Sequence, residues 1–382
     1  MTLKVGEIML RRSLLLLVIV LGIGLVFFAM TPPATATPPI QFEDPLVQGE
    51  YLANILLCIT CHTPPQAAYN PETNPDFGDD QIRDIALFGG TVLDKDRLMS
   101  GGTAFNLGPQ GIIIAANLTP DETGLGEWTD EEIETALRTG VNRDGRRLHP
   151  IMDPVTGMAD SDMAALILYL RSLDPVENVV TNALELPVPP AVAPEDEIIA
   201  PDPSDQAARG QYLVSMMHCS SCHTPIDPAT GAPLLDRYLG GGEPFNEVFG
   251  TVYAGNITAH DATGLGEWSE DELKRAITQG IRVDNRRLGL MPWQGFANLT
   301  AADLDAIVFY LQNVVAPVDN TIPATALADP YIVFVDSEAS DNTAAEEDDN
   351  ATLFVGIIGA ILVVLVGGAV IYQRSKSTSQ QS

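Results

Sequence analysis

The chain has 382 residues and a formal charge of −31, from 51 acidic and 20 basic side chains. Such a surface repels nucleic acid phosphates and anionic lipid, and suits either a basic protein partner or plain solubility outside the cytoplasm. Length alone gives two or three domains. All four cysteines fall in LLCITCHTP (56–64) and MHCSSCHTP (217–225), which leaves none for a structural disulfide elsewhere.

In chain order, the first expected element is apolar. SLLLLVIVLGIGLVFFAM (13–30) follows Lys4, Arg11 and Arg12 and precedes the small residues Ala34-Thr35-Ala36. Residues 1–36 read as a secretory signal or as an uncleaved anchor. DPLVQGEYLANILL (44–57) predicts a helix leading into Cys58, and a middle helix begins at Thr129 with the capping box T-D-E-E and stops at Gly140. A last helix covers 160–173, with apolar residues at helical spacing. Residues 174–203 hold seven prolines and predict an extended, semi-rigid spacer.

The plan then recurs. SDQAARGQYLVSMM (204–217) leads into Cys219, S-E-D-E opens a middle helix at Ser269 that stops at Gly280, and a last helix covers 300–314. An acidic stalk (316–352) precedes LFVGIIGAILVVLVGGAVIY (353–372), uncharged and long enough as a helix to cross a bilayer. Arg374 and Lys376 place the tail, 373–382, in the cytoplasm and everything between the two apolar segments on the extracytoplasmic, periplasmic or outer, face of the cell membrane.

The recurrence is an internal repeat. TGLGEWTDEEIETALRTGV (123–141) matches TGLGEWSEDELKRAITQGI (263–281) at an offset of 140, as do DGRRL (144–148) with DNRRL (284–288) and GGTAFN (101–106) with GGEPFN (241–246). The cysteine motifs are 161 apart, so the first repeat carries 21 extra residues, placed within 66–95. The domains are therefore 44–173 and 204–315. With no strong alternating strand pattern, the expected fold class is all-α: two small helical domains, a proline-rich spacer and a C-terminal transmembrane helix.

Cys58-Ile59-Thr60-Cys61-His62 and Cys219-Ser220-Ser221-Cys222-His223 carry the chemistry. Two thiols at this spacing each add to a vinyl group of one haem, and the next residue, histidine, supplies the iron with its proximal nitrogen. Zinc requires four ligands closed into a tetrahedron, and no further cysteine is available to either repeat. A redox thiol pair requires a strand–helix sandwich around it, which neither repeat suggests. The expected cofactors are two covalently bound haem c groups on Cys58, Cys61, Cys219 and Cys222, with His62 and His223 as iron ligands.

With ANLTPDETGLGEWTDEEIETALRTGV (116–141), DGRRLHPIM (144–152) and their second copies, each repeat resembles a class I cytochrome c domain. The tandem resembles the cytochrome c subunits of membrane-bound dehydrogenases, which usually carry three such domains where this chain has two. In that family a methionine in a P-x-M-P-like run, shortly before the last helix, is the distal iron ligand. The resemblance implies Met291, in RRLGLMPWQGF, for the second repeat. For the first it implies Met152, in RRLHPIMDPVTGM, where aspartate replaces the following proline and His149 and Met158 are alternatives. A thioether favours ferrous iron and raises the potential relative to histidine. By the same resemblance Trp128 and Trp268 edge the haem or bond a propionate, with core packing the alternative. Of Arg146, Arg147, Arg286 and Arg287, one of each pair, Arg146 and Arg286 in the first instance, either neutralises a propionate or lies in a solvated turn.

The expected function is electron transfer on the extracytoplasmic face, between a donor such as a dehydrogenase or respiratory complex and an acceptor such as a soluble cytochrome, with membrane attachment through the C-terminal helix and no nucleic acid partner. Iron with His and Met on its two faces has no open position for a substrate. The alternative is a dihaem oxidoreductase, a peroxidase or an enzyme oxidising sulfur compounds, with the first repeat as its catalytic haem.

Overall fold

A computed structural model of the chain describes residues 42–65, 93–106, 111–181, 191–247, 250–288 and 290–327. The N-terminal apolar segment, most of the insertion expected within 66–95, most of the acidic stalk and the segment 353–372 lie outside the described residues.

Each repeat is built on a crossing of its first and last long helices. In the first repeat these are α1, Pro45–Ile55, and α4, Asp160–Ser172. In the second they are α5, Gln206–Met216, and α9, Ala301–Asn313. Asp44 caps α1 by accepting from Leu46 N at 2.9 Å, with Pro45 at the first helical position, where its missing N–H costs nothing. Asp205 caps α5 through Ala208 N at 3.0 Å. The crossings are tight because glycine sits at each. A Cβ on Gly49 would lie 2.0 Å from the carbonyl oxygen of Ala165, and one on Gly210 would lie 2.1 Å from that of Ala306.

Between them stand the short helices of the C-x-x-C-H motifs, α2 (Cys58–His62) and α6 (Cys219–His223), and the middle helices, α3 (Asp130–Thr139) and α7 (Glu270–Gln279). Both capping boxes form: Glu132 N and Glu272 N donate to Thr129 and Ser269, and the two glutamates accept back from the cap N–H groups at 2.9 Å. Gly140 and Gly280 end these helices at φ 67° and 65°. A short helix α8, Trp293–Phe296, precedes α9.

The expectation of an all-α fold with a transmembrane helix is corrected: the described residues include short strands, and none of their helices is one that spans a membrane. β1 (Ala104–Asn106) pairs antiparallel with β2 (Ile112–Ile114). In the second repeat β3 (Pro244–Glu247) pairs with β4 (Gly250–Tyr253), to which β5 (Ala326–Leu327) adds an edge. Strands of two to four residues are too short to show an alternating pattern. Among the described residues no helix is long and apolar enough to cross a membrane. The longest have 13 residues, on the order of 20 Å against a hydrocarbon core of about 30 Å.

The spacer is not free of the first repeat. Val176 N donates to Thr119 at 3.1 Å, Asn178 N to Thr123 at 2.9 Å and the Asn178 amide to Ser100 O at 2.8 Å. The second repeat has the same strap. Val318 N donates to Thr258 at 3.0 Å, Asn320 N to Thr263 at 3.1 Å and the Asn320 amide to Gly240 O at 2.8 Å. The repeat therefore runs on through PVEN (175–178) and PVDN (317–320), a match the proline-rich composition conceals.

The repeats dock on each other through the same residues. Asp162 of α4, 3 % exposed, accepts from Gln48 of its own repeat at 2.5 Å and from Tyr212 of the other at 2.6 Å. Asp303 of α9, 7 % exposed, accepts from Arg209 of its own repeat at 2.8 and 2.9 Å and from Tyr51 of the other at 2.5 Å. The contact is thus isologous, each repeat presenting the same patch to its counterpart.

Candidate functional site

Each C-x-x-C-H motif begins with a reversal of backbone hand. Leu57 at φ 64° and His218 at φ 55° occupy the left-handed region immediately before Cys58 and Cys219. That conformation costs about 1–2 kcal/mol for a residue with a Cβ, and it breaks the long helix so that one new turn can start. The exit is clamped as well. Gly101 N donates to His62 O and Gly241 N to His223 O, both at 2.7 Å. Buried Thr63 and Thr224 accept from Met99 N at 3.1 Å and Leu239 N at 3.0 Å.

The imidazoles are held alike. Nδ1 of His62 lies 2.8 Å from Ala116 O, and Nδ1 of His223 lies 2.8 Å from Gly255 O. A ring nitrogen facing a carbonyl donates, so the proton is fixed on Nδ1 and the Nε2 lone pair is left for a metal. Burial lowers both pKa values, against the raising effect of the carbonyl, and so favours the neutral ring that ligates. The cysteines move the other way: burial, then the charge of the second cysteine, pushes Cys58 and Cys219 up to about 12. Burial also raises Cys61 and, with Asp153 and Glu243, Cys222. Reactive redox thiols and zinc thiolates require the opposite shift.

The three side chains of the first repeat considered as a distal ligand differ in their surroundings. Met158 is 0 % exposed, packed in the hydrophobic core, with its backbone oxygen accepting from Arg138 at 2.8 Å. His149 accepts at Nδ1 from Ile151 N at 3.1 Å. Its neutral ring then carries the proton on Nε2 and has no lone pair left, the reverse of His62 and His223. Met152 is half-buried on the loop between α3 and α4, its N–H bonded to His149 O at 2.8 Å. Met291 is half-buried against the core, its oxygen accepting from Trp293 N at 2.8 Å.

Trp128 and Trp268 both pack against the core, under Arg143 at 5.8 Å and Arg282 at 6.0 Å from the ring centroids. Of each arginine pair the second member is tied to the end of the middle helix: Arg147 donates to Thr139 O, and Arg287 to Gln279 O at 3.0 Å. Arg146 has its N–H on Asn142 at 2.8 Å, and Arg286 lies 3.9 Å from Asp284, so both sit in the turn that precedes the methionine loop. One donor escapes sequence reasoning. The indole N–H of Trp293, in MPW, is buried and has no acceptor among the described residues. Buried donors rarely go unpaired, and a haem propionate is the kind of acceptor that would satisfy this one. Paired thiols, a lone-pair-bearing imidazole and an orphan donor beside a candidate methionine together fit haem c.

Comparison with known proteins agrees. Residues 205–311 match the model of the family described as cytochrome C oxidase, cbb3-type, subunit III. The chain is 29 % identical over 315 residues to the cytochrome c subunit of alcohol dehydrogenase (quinone) from Gluconacetobacter polyoxogenes, covering 75 % of this chain and 59 % of that protein. It is 27 % identical over 334 residues to a diheme cytochrome c-type protein of Cereibacter sphaeroides, covering 80 % and 99 %. The cytochrome subunit of fructose dehydrogenase from Gluconobacter japonicus is 31 % identical over 127 residues, 33 % of this chain and 25 % of its own length. The chain thus spans about six-tenths of the alcohol dehydrogenase subunit it matches.

The matched segment and the duplicated C-x-x-C-H geometry are similar to those of c-type cytochromes, among them one named as dihaem. More particularly, the chain resembles the cytochrome c subunits of dehydrogenases.

Proposed function

We propose that the chain holds two haem c groups and relays single electrons, on the extracytoplasmic face of the cell membrane, from a dehydrogenase or respiratory complex to an acceptor protein. The observation that carries this reading is the duplicated geometry of His62 and His223, each with Nδ1 at 2.8 Å from a backbone carbonyl. In this reading Cys58 and Cys61 would hold one porphyrin and Cys219 and Cys222 the other. His62 with Met152, and His223 with Met291, would ligate the two irons. When bound, the haem supplies one-electron exchange between ferric and ferrous iron. The residues do the rest. The carbonyl bonds of Ala116 and Gly255 fix ring orientation and tautomer, and the thioethers favour the ferrous state. With two protein ligands to each iron, no position would be left for a substrate. The acidic surface suits a basic carrier, whose association slows as salt rises.

Purified protein made with a working haem-attachment pathway tests the reading. Mass and pyridine haemochrome absorbance should give two haems per chain, none extractable by acidified acetone. Cys58→Ala with Cys61→Ala should remove one haem and Cys219→Ala with Cys222→Ala the other. A single haem in the unsubstituted chain overturns the proposal.

A further inference from the structure

The loop that carries Met152 does not close its site alone. The next residue, Asp153, reaches across to the attachment helix of the other repeat. Its Oδ2 accepts from the Ser221 hydroxyl at 2.6 Å and lies 3.2 Å from Nδ1 of His218. Both partners belong to the CSSCH turn or its left-handed entry. In the opposite direction, α8, which follows Met291, seats Gly295 on the entry to the first repeat's motif. A Cβ there would lie 2.3 Å from Leu57 Cδ2 and 3.2 Å from Asn54 O. The segment next to each methionine therefore rests on the other repeat's attachment segment, by a polar clasp from the Met152 loop and by close packing of α8 after Met291. The clasp falls where the first repeat departs from the P-x-M-P pattern, since Asp153 stands where Met291 is followed by Pro292. Proline restricts the chain of its own accord, whereas the first repeat has a side chain with a partner outside its own domain.

We propose that Asp153 is a positioning residue, holding the Met152 loop over the first repeat's haem by anchoring it on Ser221 and His218, so that the second repeat completes the first repeat's distal side. The inference rests on the reading of Met152 as distal ligand. It gives the two loops unequal anchors: a side-chain clasp on the other repeat for Met152, and proline with close packing for Met291.

The test uses the full-length holoprotein and reads the near-infrared magnetic circular dichroism of the ferric haems, where thioether ligation has its own signature, together with the potential of each haem. Met152→Ala should abolish the thioether signature of one haem. If it does not, the ligand assignment fails and the inference with it. Given that loss, Ser221→Ala combined with His218→Ala, both remote in sequence from the Met152 loop, should weaken the same signature and lower the same haem's potential. Asp153→Ala should do likewise, and Asp153→Asn, which still accepts from Ser221, should retain more of both. A Met152-dependent signature and potential that are unchanged in Asp153→Ala and in the Ser221/His218 double variant overturn the positioning role while leaving the ligand assignment intact.

Discussion

Tyr51 of the first repeat donates its phenolic hydrogen to Asp303 of the second at 2.5 Å, and Tyr212 returns the bond to Asp162 at 2.6 Å. The exchange ties the outer helices of two copies of one domain into a single unit, with each carboxylate shared between its own first helix and its neighbour's. Removal of either hydroxyl leaves a buried carboxylate one donor short. Tyr51→Phe or Tyr212→Phe is expected to destabilise the holoprotein by about 1.5–3 kcal/mol, the value of a hydrogen bond to a charged group. Urea unfolding followed by tryptophan fluorescence measures it. A loss within experimental error for both variants would show that the repeats do not depend on this contact.

The two halves of the exchange are not equal in charge. Asp303 faces the guanidinium of Arg209 with two bonds, whereas Asp162 faces the neutral amide of Gln48. Asp303→Ala strands a buried cation, a defect of about 3–5 kcal/mol. Asp162→Ala strands only neutral donors, about 1–3 kcal/mol. The same unfolding experiment should therefore rank Asp303→Ala as the more damaging. Equal losses would mean that Arg209 finds water or another acceptor.

Gly49 and Gly210 are expected to resist any side chain. The added methyl meets a backbone oxygen at 2.0 or 2.1 Å and the Cβ of Tyr169 or Tyr310 at 2.7 or 2.6 Å, so the helices must separate. Overpacking of this kind costs roughly 1–3 kcal/mol and occasionally more. Gly255→Ala is the control, because a methyl placed there meets nothing within 4 Å and the backbone φ is not positive. Thermal unfolding should separate the two classes. Wild-type stability in Gly49→Ala would show that the crossing can widen without loss.

What is legible in the sequence is local. C-x-x-C-H, the capping boxes at Thr129 and Ser269 and the glycine stops at 140 and 280 each state their geometry within a few residues, and duplication doubles the signal. The hairpins are not legible: Phe105 opposite Ile113 and Phe245 opposite Val252 are single pairs in strands too short to alternate visibly. PVEN and PVDN read as linker and stalk because proline dominates such composition, although Asn178 and Asn320 pin them down. The matched tyrosines stand out as a pair, but their partners do not. Asp162, Asp303 and Asp153 acquire their meaning only when the two repeats meet, and no pattern within one repeat encodes that meeting.

The tyrosine exchange also makes alkaline pH a probe of docking. Burial, then the nearby carboxylate, pushes the Tyr51 and Tyr212 phenols well above their ordinary value. In the unfolded chain these groups lose their protons near pH 10; in the folded chain they keep them. Above that pH the unfolded state binds fewer protons than the native state, so stability falls as pH rises, while below it the contribution is fully present. Tyr169 and Tyr238, raised to about 12, act in the same direction, but they remain in every variant. The stability difference between the wild type and the Tyr51→Phe, Tyr212→Phe double variant should therefore be constant from pH 7 to 9 and shrink as pH climbs past 10. A difference that stays constant at high pH would mean that the two phenols ionise in the folded protein as readily as in water, and the docking would then have to be held by apolar contact alone.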